Sequence, residues 1–221
     1  MTRRLSLGLA PLLAIAALAV IPAATQAACT APACPHVYRN GAMVGEGKKS
    51  QVIGWGTIKF TNSHLGEVEC HNIGAGYVEN PIGGGIAVGK SEAEANYECE
   101  SPSCKLFGGK IESTPENLPW AEELIEPEPG VFRIKIGKKG KEAGSIVVRS
   151  KCLGLFNEQF FGEQTPKILN NGVSIGALPG EGEFDAGAGA LESAFFGTGT
   201  TAGRVKSEGY GAQELIEVKN P

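Results

Sequence analysis

The chain has 221 residues, with 20 Lys or Arg against 24 Asp or Glu, which gives a formal net charge of −4. Nucleic acids and anionic lipids bind to a concentrated basic face, which an acidic chain with scattered lysines lacks. We therefore expect the chain to bind neither. The 32 Gly and 13 Pro interrupt the chain too often for long amphipathic helices. The composition therefore predicts a protein built from short strands.

The first 28 residues show the three-part pattern of a secretory signal peptide. An arginine pair supplies the positive start, an apolar run continues to about Ile21, and small residues lead up to Cys29. We expect cleavage near Ala27 or Ala28. The mature chain would then have a net charge of −6 and lie outside the cell or in the cell wall.

Two alternatives remain open for this leader. Arg3 and Arg4 could belong to a twin-arginine signal, and Cys29 could be a lipid-anchored cysteine. Gln26 stands where a lipoprotein signal normally has leucine. Because no second apolar run of spanning length follows, we expect no membrane span in the mature chain.

All the cysteines follow the predicted cleavage site: Cys29, Cys34, Cys70, Cys99, Cys104 and Cys152. An even number of cysteines in an exported chain predicts disulfides. We expect two bridges that close short local loops and one that joins distant strands, in the order Cys29–Cys34, Cys99–Cys104 and Cys70–Cys152.

Two segments give the clearest β signals near the start of the mature chain. Asn40 and Gly41 accept the positive φ angles of a tight hairpin turn. Residues 51–61, QVIGWGTIKFT, predict a long strand, with a bulge at Gly54 or Gly56.

Shorter runs continue this pattern to the end of the chain. Further strands are predicted over 67–72, 73–78, 120–125, 131–136, 145–149, 160–161, 167–169, 173–175, 190–196, 203–206 and 213–219. Residues 91–97, SEAEANY, are the one helix candidate. The predicted fold is all-β, an antiparallel sandwich or barrel-like structure with Gly-rich loops and disulfides. Residues 29–221 are expected to form one domain with a linker or loop near 112–117, and a division into two subdomains at that point is the alternative.

Residues 84–91, GGIAVGKS, match every fixed position of the G-x-x-x-x-G-K-[ST] phosphate-binding loop. Such a loop needs a buried strand before it and a long helix after it, and neither fits the flanking residues. Asp185, the only Asp in the chain, does not follow the apolar run expected of a magnesium ligand. We therefore expect no nucleotide site. Gly83–Gly85 would form a turn, Ile86–Val88 a short strand, and Lys90 and Ser91 its solvated end.

Two further motifs have a simpler structural interpretation. Residues 172–176 spell the G-x-S-x-G motif of serine hydrolases, but every histidine precedes Ser174, so we expect a strand after a hairpin. His64, Cys70 and His71 have zinc-ligand chemistry without the paired spacing of a zinc site. In an oxidising compartment the cysteine is expected in a disulfide.

Carboxylates and aromatic rings provide the remaining candidates. An acidic cluster lies beside Trp120 and consists of Glu122, Glu123, Glu126 and Glu128. A carboxylate pair against an aromatic wall is typical of glycosidases, whereas a solvated loop is the simpler interpretation. Residues 180–189, GEGEFDAGAG, weakly resemble a calcium-binding turn. A flat platform for sugar rings could come from Trp55, Trp120, Tyr38, Tyr77, Tyr97 and Tyr210, although core packing explains most of them more simply.

Several stretches support a family resemblance: HVYRNG, GWGTIKF, ENPIGGG, LPWAEEL, FDAGAGALES and GYGAQELI. On these motifs the sequence resembles a family of uncharacterised exported proteins from high-GC Gram-positive soil bacteria, and the resemblance extends over most of the mature chain. The resemblance implies export and a β-rich fold, and it implies no activity, ligand or site.

These observations predict a secreted or cell-wall-associated binding or surface module, not an enzyme, with no catalytic residue, metal or cofactor and with an unknown surface or glycan ligand. The alternative is an extracellular glycan hydrolase that uses Glu residues near Trp120. A flat exposed aromatic patch would favour binding, and a groove joining two carboxylates would favour hydrolysis. The absence of both would favour a structural role.

Overall fold

The computed structural model describes residues 34–152, 155–169, 180–185, 187–209 and 216–220. Within these ranges the chain forms fifteen strands and one short helix, α1 (Pro102–Leu106). The strands are β1 (His36–Arg39), β2 (Ala42–Met43), β3 (Lys49–Asn62), β4 (Gly66–Glu79), β5 (Val88–Glu100), β6 (Ile111–Glu116), β7 (Trp120–Glu128), β8 (Val131–Gly137), β9 (Ile146–Cys152), β10 (Phe156–Gln164), β11 (Lys167–Ile168), β12 (Gly180–Phe184), β13 (Gly189–Ser193), β14 (Gly197–Gly209) and β15 (Ile216–Lys219). Among the residues described, no helix is long and apolar enough to cross a bilayer.

Eight of the strands close into an antiparallel barrel, in the order β12-β11-β8-β7-β5-β4-β3-β14, because β14 also pairs with β12. Closure pairs strand edges that would otherwise be exposed to other chains. Strands β13, β10, β9 and β6 extend from β14 as a side sheet, and β10 returns to β8. The predicted all-β fold is therefore confirmed, in its barrel form.

The long strand predicted over 51–61 is confirmed as the central part of β3, but the predicted bulge is wrong. The register between β3 and β4 is continuous from Lys49 opposite Glu79 to Asn62 opposite Gly66, so residues 67–78 form one strand and not two. Gly56 serves a different purpose, because a Cβ at this position would collide with the backbone of β14. The register shifts lie between β4 and β5 instead.

The helix predicted at 91–97 and the linker predicted near 112–117 are both strands. Residues 91–97 lie within β5 and pair with β4, so strand pairing overrides the helix preference of Glu and Ala at these positions. Residues 111–116 form β6, which pairs with β9 along its whole length. The alternative boundary between two subdomains, near 112–117, therefore falls inside a sheet.

The disulfides differ from the predicted pairs: they join Cys70 to Cys99 and Cys104 to Cys152. Cys70 and Cys99 lie on neighbouring strands, β4 and β5. Ser101 caps α1 by accepting a hydrogen bond from the Cys104 backbone N–H at 3.4 Å, and this helix directs Cys104 towards β9. The predicted Cys99–Cys104 loop is wrong: Ser101 and Pro102 begin a helix, which turns Cys104 away from Cys99. Cys34 is also disulfide-bonded, and the predicted Cys29–Cys34 pair involves Cys29, which lies outside the described residues.

Apolar side chains pack in three clusters inside the molecule. Two lie towards the β3–β4 turn, and one of these surrounds the two disulfides. The third lies at the opposite end of β4. Their buried members are Leu65, Trp120, Ile146, Phe160 and Leu191; Val68, Cys70, Cys104, Ile111 and Cys152; and Val37, Ala87, Leu124 and Val218. Burying one large side chain such as Phe160 contributes about 1.5–3 kcal/mol.

A small sheet, β15-β1-β2, packs on this last cluster. The predicted hairpin is confirmed, with φ angles of 51° at Asn40 and 79° at Gly41. Asn80, which is fully buried, attaches the sheet to the barrel. Its side chain accepts a hydrogen bond from the Val37 N–H at 2.8 Å and donates to the carbonyls of Val37 at 3.0 Å and Val44 at 2.7 Å.

We expect Asn80→Ala to lower the free energy of unfolding by about 2–4 kcal/mol, because it removes three buried hydrogen bonds, including those to the Val37 N–H and the Val44 carbonyl. Chemical denaturation measures this change. Asn157→Ala, at an exposed asparagine that accepts one hydrogen bond from Arg149, should cost less than about 1 kcal/mol. Equal effects of the two substitutions would contradict this role for Asn80.

Candidate functional site

The segment that matches a phosphate-binding loop is a turn followed by a strand. Gly83, Gly84 and Gly85 have positive φ angles of 85°, 84° and 114° and form the predicted turn. The Gly83 N–H donates to the Glu46 carboxylate at 3.0 Å. Strand β5 begins only at Val88, so the predicted strand over Ile86–Val88 is misplaced.

Lys90 and Ser91 continue this strand and face opposite ways. Lys90 is exposed, as predicted, whereas Ser91 is buried and not solvated. Both lie in β5, which at these positions pairs with β4 on one side and β7 on the other. Their extended backbone differs from the helical start that holds a phosphate in such loops.

Ser91 belongs to a polar cluster inside the barrel. Its hydroxyl donates to the Glu122 carboxylate at 2.5 Å, and the Asn72 amide donates to Glu94 at 3.1 Å and to Asn96 at 2.9 Å. These side chains lie on β4, β5 and β7. Gly74 provides the space for this cluster, since a Cβ there would collide with the Glu94 carboxylate.

The two carboxyl groups of this cluster have raised pKa values. Burial raises the pKa of Glu122 to about 7; the hydrogen bond from Ser91 opposes this shift, and the neighbouring charge of Glu94 adds to it. Burial also raises the pKa of Glu94 to about 6, against the hydrogen bonds of Asn72 and Ser91. Both groups therefore hold protons more strongly in the folded chain than carboxyl groups in water do.

The glutamates predicted to cluster beside Trp120 do not share one face. Glu122 faces the interior, and Glu123, the next residue in the strand, faces outward. Glu126 accepts hydrogen bonds from the Gly130 N–H at 2.6 Å and from Asn220 at 2.8 Å. A shallow depression of about 270 Å³ lies at this wall, and Glu122 and Glu123 both line it, together with Val88, Ala121, Lys135, Gly137 and Lys138.

Trp120 does not form an exposed wall next to these carboxylates. Its side chain is buried, and its indole N–H donates to the Glu116 carbonyl at 2.8 Å. Tyr77 is likewise buried, with the Lys49 ammonium 3.8 Å from its ring centroid. These two aromatic residues therefore pack in the core or against a neighbouring strand, which is the interpretation that the sequence favoured for most of the six.

A group of aromatic and aliphatic side chains lies on the outer surface of β3, β4 and β5. Trp55 lies opposite Ile73, which lies opposite Ala95; in the neighbouring row, His71 lies opposite Tyr97. We define the outer face by its seven apolar residues: Ile53, Trp55, Ile73, Ala75, Ala93, Ala95 and Tyr97. Ile73 is 50% exposed and Tyr97 46%, and the three alanines are exposed. Such a group of outward apolar side chains on adjacent strands is typical of a binding surface.

Polar groups border the outer face. The His71 ring stacks on Tyr97 with 5.5 Å between the ring centroids, and its Nε2 lies 3.8 Å from a Glu98 carboxylate oxygen. Lys206 on β14 lies opposite Trp55, and Arg204 lies opposite Thr57. The sequence named Trp55 and Tyr97 among six aromatic candidates for a platform, but it could not show that these two share a surface with Ile73.

The remaining candidates have other partners or lie outside the described residues. Cys70 is in a disulfide, and it faces the interior while His71 faces outward, so the two do not converge as zinc ligands. The Asp185 carboxylate accepts two hydrogen bonds from Arg133, at 2.9 and 2.7 Å, which lower its pKa. The motif at 172–176 and Tyr210 lie outside the described residues.

We expect the free energy of unfolding to fall as pH rises from about 4.5 to about 7 through the Glu122 carboxyl. The reason is that the folded chain keeps a proton over this range that the unfolded chain has already released. Glu122→Gln should reduce this slope and stabilise the protein by about 1–2 kcal/mol at pH 8. Denaturant unfolding at pH 5 and pH 8 measures both effects.

Glu123→Gln is the matched control, because Glu123 is the next residue in β7 and faces outward. It should leave the slope nearly unchanged. If Glu122→Gln and the unsubstituted chain show the same difference between pH 5 and pH 8, the buried carboxyl is not the cause of the pH dependence.

Comparison with protein-family models, with curated proteins and with solved structures finds no match to this chain. The resemblance to exported proteins of soil bacteria therefore stays a prediction.

Proposed function

We propose that this chain is an exported, non-enzymatic binding module that holds an extended glycan on its outer face. The observation behind the proposal is the apolar outer face, on which Ile73 and Tyr97 are about half exposed and the neighbouring Trp55 is partly exposed. Flat aromatic rings pack against the apolar C–H faces of sugars, and their edges leave the sugar hydroxyls accessible.

The dimensions of the outer face suit an extended ligand. Trp55 on β3 and Tyr97 on β5 are two strands apart, or about 10 Å across the sheet. Ile73 on β4 lies between them, and the exposed Ala75, Ala93 and Ala95 extend the same low, apolar surface on the side away from His71, so a chain of sugar rings could pack along it. This arrangement favours a linear polysaccharide over a compact small molecule.

The polar border supplies hydrogen-bonding groups for sugar hydroxyls. His71, Glu98 and Thr57 offer both donors and acceptors, and Lys206 adds a cationic donor. A mixed border of this kind suits a neutral glycan better than an apolar protein partner, which would leave these groups without partners.

The disulfides support the proposed location. Bridges such as Cys70–Cys99 and Cys104–Cys152 form and persist in oxidising compartments, as expected for an exported chain. Extracellular and cell-wall glycans are available ligands in such a compartment. Export itself, through the leader at 1–28, is part of this proposal.

The alternative is an extracellular glycan hydrolase that uses Glu122. Its support is the raised pKa of this carboxyl, about 7, which suits a general acid near neutral pH. The support for hydrolysis is weaker than the support for binding, because Glu122 faces the interior and the nearby Trp120 is buried. Release of reducing sugar from a glycan, abolished by Glu122→Gln, would favour hydrolysis over binding.

We expect a glycan array, followed by pull-down with the matching insoluble polysaccharide, to detect binding that Trp55→Ala and Tyr97→Ala each reduce by roughly tenfold or more. Met43→Ala is the matched control, because Met43 is 48% exposed, much like Tyr97, but lies in the small sheet. Unchanged binding by both aromatic variants, or no binding to any glycan, would reject the proposal.

A further inference from the structure

Four turns meet at one end of the barrel. They are the β3–β4 turn, the segment with α1, the β9–β10 connection, of which the structure describes Leu155, and the β13–β14 turn. The Asn62 amide donates to the carbonyls of Phe196 at 3.1 Å and Thr198 at 3.0 Å, which joins the first and last of these turns. The Phe156 and Phe196 rings meet edge to face, with 5.7 Å between centroids.

A disulfide and a close backbone contact hold α1 in the same place. The Cys104–Cys152 bridge attaches the helix to the end of β9. The Ser103 side chain lies so close to Gly66 that a Cβ at Gly66 would approach its hydroxyl oxygen to 2.7 Å. The helix therefore lies beside both the β3–β4 turn and the end of β9.

Large apolar side chains are exposed on these turns. Leu106 is 81% exposed, Phe107 68%, Leu155 49% and Phe195 78%. We call these four residues the apolar end. Among the described residues they make up half of the eight large hydrophobic side chains that are exposed. Single exposed hydrophobic residues are common, but their convergence from three turns at one end of a fold marks an interaction surface.

The charges at this end differ from those of the whole chain. Residues 63–65, 101–110, 153–155 and 194–196 contain no Asp or Glu, although the chain as a whole has a net charge of −4. Lys105 precedes Leu106 in α1, and Lys110 follows the helix; both are exposed. Acids lie on the adjoining strands: Glu67 pairs with Lys59 at 2.9 Å, and the exposed Glu100 and Glu112 flank the segment with α1.

This combination of residues fits a lipid surface. At a bilayer interface, Phe and Leu side chains enter the boundary with the acyl chains, and nearby lysines meet anionic headgroups. The apolar side chains project from separate turns, so each could enter the bilayer on its own. A protein partner would need a continuous matching surface, which separate projections offer less well.

We propose that the apolar end docks the protein on an anionic lipid bilayer. Leu106, Phe107 and Phe195 enter the headgroup region, Leu155 follows at its edge, and Lys105 and Lys110 contact lipid phosphates. From the overall negative charge we expected poor affinity for anionic lipid. The net charge does not reflect this end of the barrel, because its turns contain no acidic residue. This surface is separate from the outer face and does not depend on glycan binding.

The test is co-sedimentation of the full chain with vesicles. One set contains phosphatidylcholine alone, and the other contains phosphatidylcholine and phosphatidylglycerol in equal parts. We expect binding to the anionic vesicles, reduced roughly tenfold or more by the double variant Phe107→Ser with Phe195→Ser. Lys105→Ala with Lys110→Ala should reduce binding several-fold on anionic vesicles only.

The matched control is Ile82→Ser, since Ile82 is 82% exposed in the β4–β5 loop at the opposite end of the barrel, and it should leave binding unchanged. An unfolding curve like that of the unsubstituted chain verifies that each variant is folded, and Leu106→Ser replaces the double variant if it is not. Binding that survives the double variant, or no binding at all, overturns the proposal. A concentration-dependent dimer lost in the same variants, without vesicle binding, would overturn it in favour of a second copy of this chain.

Discussion

The pairing of β14 determines the architecture of the barrel. This strand is bonded to β3 along one edge, and on its other edge it is bonded first to β13 and then to β12. Because β12 leads back through β11 to β8, this change of partner closes the sheet. Closure of eight strands leaves an interior only wide enough for side chains to fill.

The narrow interior accounts for the distribution of side-chain sizes on β3 and β4. Gly56 and Gly74 face inward at points where a neighbouring backbone or carboxylate leaves no space for a Cβ. Since side chains alternate along a strand, the larger apolar residues next to these glycines, Trp55 and Ile73, face outward. The outer face is thus the counterpart of a tightly packed interior.

The same alternation places Glu94 and Glu122 inside the barrel, where water cannot fully solvate their charges. Ser91 and Asn72 supply hydrogen-bond donors in place of water, yet burial still raises the pKa of both carboxyl groups. The interior of the barrel therefore contains ionisable polar groups as well as apolar side chains. The protonation state of the interior therefore varies within the ordinary environmental range of pH.

Local chemistry made the Asn40-Gly41 hairpin and the strand over 51–61 predictable, because turn geometry and alternation act over a few residues. The segment at 91–97 was mistaken for a helix because its residues favour helix locally, and only pairing with β4 makes it a strand. The pairing of Cys70 with Cys99 depends on strand neighbours, which no local pattern specifies. For the candidate site, the sequence identified Trp55 and Tyr97, but their common surface depends on a register that includes two irregularities between β4 and β5.

Helix α1 connects the chemistry of the cysteines with the surface of the protein. It has five residues, too few for its internal hydrogen bonds to hold it in water, so its position depends on the Ser101 cap and the Cys104–Cys152 bridge. While these cysteines are reduced, as in a cytoplasm, nothing covalent would hold Leu106 and Phe107 beside the other turns. On the export proposed for this chain, oxidation would then be a maturation step: the apolar end would be complete only after the chain had left the reducing compartment.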